Sequence, residues 1–159
     1  MTKLKHEAIE THFLYPCVIY SHAKPTIVTT ILGTCVAVCL YDPISKKGGI
    51  NHYMLPLWNG DGLASPKYGN IAIPKLIKKM LAMGCRKSNI QAKVFGGKSE
   101  GQGNISLFRI GERNSELALL LLGQENIPIV GSSLNGKYGR RIQFNTGTGE
   151  VLMNFLNNI

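Results

Sequence analysis

The sequence predicts an α+β domain, an α/β sandwich of packed, largely antiparallel β-sheets flanked by two to three helices. Short runs of β-branched, aromatic and aliphatic residues, roughly eight of them, far outnumber the helical patterns. They lack the strict strand-helix alternation of a doubly wound sheet. Turn signals such as Asp42-Pro43, Asn135-Gly136 and Thr146-Gly147-Thr148-Gly149 separate them at hairpin spacing. The 159 residues fit one domain with one core, residues 1–159, of which 1–12 form a polar and loosely ordered start.

Element by element, Cys17-Val18-Ile19-Tyr20 and Thr26-Ile27-Val28-Thr29-Thr30 read as strands, each introduced by a proline. Cys35-Val36-Ala37-Val38-Cys39-Leu40-Tyr41 is continuously apolar, as a strand covered on both faces would be. Lys46-Lys47-Gly48-Gly49 reads as a turn, and Ile50 to Leu55 as the returning strand of a hairpin. After a Gly- and Pro-containing loop, Leu76, Ile77, Met80 and Leu81 recur at helical spacing between Pro74 and Gly84, with lysines opposite. Ile90 to Phe95 is a strand, Gly96 to Gly103 a Gly-rich loop, and a second helix runs from about Ser115 through Leu122. Ile127 to Val130 is a short strand, and Arg141 to Phe144 pairs with Glu150 to Phe155 as a hairpin.

Composition excludes several classes of function. Hydrophobic residues make up 44% and charged residues 17%, a balance that argues for folding rather than disorder. No apolar run approaches the roughly 18 residues of a membrane span, and the polar stretch from Met1 to Glu10 lacks the apolar core of a signal peptide, so a cytoplasmic protein without membrane insertion is expected. The formal charge is +9, and no acid falls between Asp61 and Glu100, where Lys67, Lys75, Lys78, Lys79, Arg86, Lys87, Lys93 and Lys98 occur. An acidic partner would suit that field. Nucleic acid is the weaker choice, because neither a stacked-aromatic RNA-binding sheet nor a paired-helix DNA reader is evident.

The four cysteines, Cys17, Cys35, Cys39 and Cys85, stay thiols in a reducing compartment. A thiol becomes a useful nucleophile when an imidazole takes its proton and a polar group holds that imidazole. Cys35 follows Gly33-Thr34 at a strand start, where a tight turn aims backbone N–H groups at a developing oxyanion; Gly33 and Thr34 are therefore candidate oxyanion or substrate contacts. His52 lies on the neighbouring strand of the hairpin, and Thr29, on the preceding strand, offers its hydroxyl oxygen to the far ring N–H. On spacing alone, a buried filler thiol and a structural histidine are the commoner explanation. Cys39 shares a strand face with Cys35, but no second Cys or His pair stands at zinc spacing, so neither metal nor cofactor is expected. Gly96-Gly97-Lys98-Ser99 does not qualify as a phosphate loop, since Ala92 stands where that pattern requires glycine.

Two long blocks, Leu32-Gly33-Thr34-Cys35-Val36-Ala37-Val38-Cys39-Leu40-Tyr41-Asp42-Pro43 and Gly48-Gly49-Ile50-Asn51-His52-Tyr53-Met54-Leu55-Pro56, resemble the CheD family of chemoreceptor glutamine deamidases. The likeness continues through Lys93-Val94-Phe95-Gly96-Gly97, Ile110-Gly111-Glu112-Arg113-Asn114, Tyr138-Gly139-Arg140-Arg141 and Thr148-Gly149-Glu150-Val151. The resemblance implies hydrolysis of selected glutamine side chains on methyl-accepting chemotaxis receptors through a Cys-His-Thr triad. Matched position by position, it implies Cys35 as nucleophile, His52 as general base and Thr29 as the orienting residue. It further implies sheets flanked by helices, similar to deamidating bacterial toxins, and a CheC-type phosphatase as partner. The same thioester chemistry would open a glutamyl methyl ester. Cys17 stands where the family often has glycine, Thr34 where serine is common, and Ser132-Ser133-Leu134-Asn135-Gly136 replaces a more usual Asp-Val-Gly-Gly stretch. The alternative is a non-catalytic adaptor that docks on receptor or phosphatase.

Overall fold

The computed structural model describes residues 8–99 and 105–157, with backbone alone for 105–108. In chain order it contains β1 (Glu10–Phe13), β2 (Ile19–Ser21), β3 (Thr26–Leu32), β4 (Val36–Asp42), β5 (Lys47–Asn51), α1 (Gly69–Ala82), a 3₁₀ turn (Lys87–Asn89), β6 (Gln91–Gly96), α2 (Ile105–Gln124), β7 (Ile129–Leu134), β8 (Gly139–Asn145) and β9 (Val151–Leu156). One sheet has the order β1-β3-β8-β9 and the other β2-β5-β4-β6-β7. The pairs β1 with β3 and β6 with β7 are parallel, and the remaining neighbours are antiparallel. The predicted α+β architecture is therefore present.

Two cores hold three layers together. Between the sheets, Val28, Leu32, Ile142 and Phe144 pack against Ala37, Cys39, Ile50 and Phe95. On the other face of the second sheet, Val36, Val38, Leu40 and Val94 meet Ala72, Ile73, Leu76 and Met80 of α1 and Ala118 and Leu122 of α2. Strand β4 contributes to both cores, which is why its sequence is a continuous apolar run instead of an alternation. Helix α1 buries Ala72, Ile73, Leu76, Ile77 and Met80 and leaves Lys75, Lys78 and Lys79 exposed, as the periodicity predicts, except that Leu81 of the predicted stripe is exposed.

Several boundaries differ from the sequence reading: α1 begins at Gly69, with Pro74 inside it, β5 ends at Asn51 short of Leu55, and β7 is Ile129–Leu134 instead of Ile127 to Val130. Glu10–Phe13 pairs in parallel with Thr26–Thr29, so the loosely ordered start does not extend to residue 12; residues 1–7 lie outside the described part. The predicted turn at Lys46 to Gly49 is instead strand from Lys47 onward, the chain reversing at Asp42–Lys46. Gly48 and Gly49 serve close packing there: a Cβ on Gly48 would lie 3.0 Å from the Phe144 ring, and one on Gly49 2.9 Å from Leu76. Helix α2 starts at Ile105, ten residues before the predicted Ser115. From residue 109 to Ser115 the buried side of the helix is Gly111, Asn114 and Ser115, small and polar residues that give no apolar signal. Glu100 to Gly103 of the predicted Gly-rich loop lie outside the described residues.

Candidate active site

The ladder between β4 and β5 places Cys39 opposite Ile50, and the same register continues beyond β5 to a bridge between Val36 and Tyr53. In between, the Val38 N–H is taken by the Asn51 side chain at 2.9 Å. Both bridge bonds are made, Val36 N–H to Tyr53 O at 3.1 Å and Tyr53 N–H to Val36 O at 3.0 Å. Side chains alternate faces along a strand, so Val36 and Tyr53 turn to the helices, while Cys35, Ala37, His52 and Met54 turn to the space between the sheets. In this register His52 is opposite Ala37 and Met54 opposite Cys35. Cys35 and His52 are thus diagonal neighbours on one face, a relation in which Cα atoms lie roughly 7–8 Å apart.

It is Thr30, not Thr29, that meets the imidazole. Thr30 Oγ1 lies 2.7 Å from His52 Nδ1 and donates to the Leu14 carbonyl at 2.8 Å. A hydroxyl has one hydrogen, and here it is spent on Leu14, so Thr30 accepts from Nδ1–H. That fixes the tautomer and leaves the lone pair on Nε2. Thr29 is one residue away on a strand of period two, and its side chain therefore leaves by the outer face, into a hollow of about 210 Å³ lined by Thr11, His12, Phe13 and Arg141.

Burial sets the charge state. His52 is 2% exposed, and loss of hydration holds its pKa down to about 4, so the ring is neutral at neutral pH. Burial pushes the Cys35 thiol up to about 11, the Cys17 sulfur adds to this, and the Cys35 backbone N–H, directed at its own sulfur, opposes it. A neutral thiol and a neutral imidazole thus share this face. Cys17 borders it, with Sγ donating to Met54 Sδ at 3.4 Å and its N–H bonding His52 O at 2.8 Å. Its φ of 70° lies in the region glycine favours. Among the described residues, no group of three or more His, Cys, Asp or Glu side chains is placed to hold a metal.

The turn before Cys35 is held through its carbonyls. Gly33 O accepts from Lys98 N–H at 2.9 Å, Thr34 O from Asn114 Nδ2 at 3.0 Å, and Cys35 O from Gly97 N–H at 2.9 Å. Gly96, at φ 112°, can only be glycine, since a Cβ would come within 2.2 Å of Cys35 O. The sequence motifs containing Gly96, Gly97 and Asn114 carry no role by pattern alone; the fold brings them against the backbone of Thr34 and Cys35.

Against known proteins, residues 54–155 match the family model described as CheD chemotactic sensory transduction. A protein of Trichlorobacter lovleyi named "Probable chemoreceptor glutamine deamidase CheD" is 46% identical over 153 residues, covering 96% of this chain and 95% of that one. The chain belongs to the CheD family. A CheD of the same name from Sulfurimonas denitrificans is 44% identical over 92% of this chain and 95% of its own length. A third CheD, from Anaeromyxobacter dehalogenans, is 40% identical over 80% of this chain and 74% of its own. For a CheD chain the intersheet edge is thus a candidate catalytic centre, with sulfur and imidazole on one strand pair and the hydroxyl supplied by the opposing sheet.

Proposed function

We propose that this protein hydrolyses selected glutamine side chains of methyl-accepting chemotaxis receptors to glutamate and ammonia, with Cys35 as nucleophile, His52 as general base and Thr30 as the residue that orients His52. The observation that carries the reading is the Thr30–His52 contact, because it leaves Nε2 as the free base on the face that Cys35 shares. His52 takes the thiol proton as sulfur attacks the amide carbon, and an oxyanion forms. As the intermediate collapses, His52 returns the proton to the departing nitrogen, releasing ammonia and leaving a thioester. Water then attacks with His52 as base, and the second collapse frees the carboxyl group and the Cys35 sulfur, which regains its proton. A glutamyl methyl ester would enter the same cycle with methanol as leaving group. The family membership further supports a CheC-type phosphatase as partner and residence in the cytoplasm.

The test is mass spectrometry of a receptor cytoplasmic fragment incubated with wild-type protein. Conversion of specific glutamines to glutamate is expected, with a hydroxamate at the same positions when hydroxylamine intercepts the thioester. Receptor left unchanged by active-site-intact protein would end the deamidase reading.

The two threonines separate cleanly by experiment. Thr30→Val keeps the shape and removes the acceptor of Nδ1–H, so kcat should fall at least about tenfold with KM little changed; the ~10⁴ lost when a triad's orienting group is disabled is an upper bound. Thr29→Val, on the outer face, should stay within about twofold of wild type. Equal losses in the two variants would reject the assignment of Thr30.

A further inference from the structure

Asn114 is completely buried on α2 and faces the site from the helix side. Its Nδ2 donates to Thr34 O at 3.0 Å and to Met54 O at 2.9 Å, carbonyls of the residue before the nucleophile and of the residue opposite it. Its own carbonyl receives the Tyr53 hydroxyl at 2.5 Å. The Oδ1 atom is buried without a partner, an arrangement that typically costs about 1–3 kcal/mol. Such a residue is poorly explained by packing alone, since an apolar side chain of that size would avoid the cost.

We propose that Asn114 is a positioning residue that turns the Cys35 backbone N–H toward the reacting centre and so makes it an oxyanion donor. In a trans peptide the C=O and N–H point opposite ways. Drawing Thr34 O toward α2 therefore sends the Cys35 N–H to the intersheet side, where the Cys35 side chain lies. The hold on Met54 O ties the opposite strand to the same anchor, and the Gly33 and Cys35 carbonyls are fixed by Lys98 and Gly97 on the adjoining loop. With three consecutive carbonyls occupied, the amide cannot rotate away as charge develops, which is what preorganised stabilisation requires. The identity of the natural substrate rests on the deamidase reading, but the role of Asn114 applies to any acyl transfer at Cys35.

The experiment compares two reactions of the same sulfur. Acylation by p-nitrophenyl acetate passes through an oxyanion, and alkylation by iodoacetamide does not; both are read at Cys35, with the rates of Cys35→Ala subtracted. Asn114→Ala should lower the ratio of acylation to alkylation roughly tenfold or more, the lower end of what one lost oxyanion donor costs. Asn114→Ser, which keeps a single donor, should fall in between and replaces Asn114→Ala if circular dichroism shows that variant unfolded. An unchanged ratio in either folded variant, or parallel loss of both rates, overturns the proposal. If the ratio falls while wild-type protein leaves receptor glutamines intact, the deamidase reading fails and the role of Asn114 stands.

Discussion

Cys35→Ala is expected to abolish glutamine conversion, with kcat reduced by about 10⁴ to 10⁶, since removing the nucleophile of a catalytic set costs nearly as much as removing the whole set. The fold should survive. Cys35 is incompletely buried at the margin of the intersheet core, and a small side chain there loses few contacts. Cys17 is not expected to substitute, because its sulfur engages Met54 and, among the described residues, no basic acceptor for its proton is paired with it as Thr30 is with His52. The state of the thiol adds a second expectation for the wild type. With a pKa pushed up to about 11, the thiolate fraction rises tenfold per pH unit through neutrality, so iodoacetamide labelling of Cys35 should climb steadily from pH 7 to 10. A labelling plateau near pH 7 would mean a resting thiolate–imidazolium pair and contradict the neutral site. Residual turnover in Cys35→Ala above a tenth of wild type would remove Cys35 as nucleophile.

His52→Gln should lower kcat by about 10² to 10⁴, the usual contribution of a positioned proton-transfer group, and should also change how stability responds to acid. The folded state holds His52 at about 4 against an ordinary value of 6.5, so between these limits the unfolded chain binds a proton that the folded one refuses. Stability therefore falls as pH drops from about 6.5 toward 4, by on the order of 3 kcal/mol from this residue alone. In His52→Gln that component is absent, and denaturant unfolding across pH 7 to 4 should show a flatter decline than wild type. The Asp42 carboxyl, held low by backbone N–H groups of Ile44, Ser45 and Arg86, is common to both proteins and loses its contribution as pH falls through its own depressed range. Superimposable pH dependences in the two proteins would show that the imidazole is not kept neutral by burial.

The candidate residues could be named before folding was considered, though it was the family resemblance and not their spacing that singled them out. Cys35 precedes one strand and His52 follows its hairpin partner, and the register puts them on one face. Helix α1 was plain, because its apolar stripe has an unambiguous period. The stretch of α2 before the leucine run was not, because between residues 109 and 115 it buries Gly111, Asn114 and Ser115, close to backbone: a Cβ on Gly111 would lie 2.0 Å from Lys98 O. A helix that packs on main chain leaves small and polar residues as its record, and hydropathy does not register them.

The sequence by itself determined the chemistry available, a thiol, an imidazole and a hydroxyl-bearing strand, and the mixed α+β class. Tertiary structure alone decided which hydroxyl meets the imidazole. Along Thr26-Ile27-Val28-Thr29-Thr30-Ile31-Leu32 both alternating faces carry threonine and aliphatic side chains, so local pattern cannot tell inside from outside. Packing of Val28 and Leu32 against the second sheet turns the even-numbered residues inward, and Thr30 goes with them to His52.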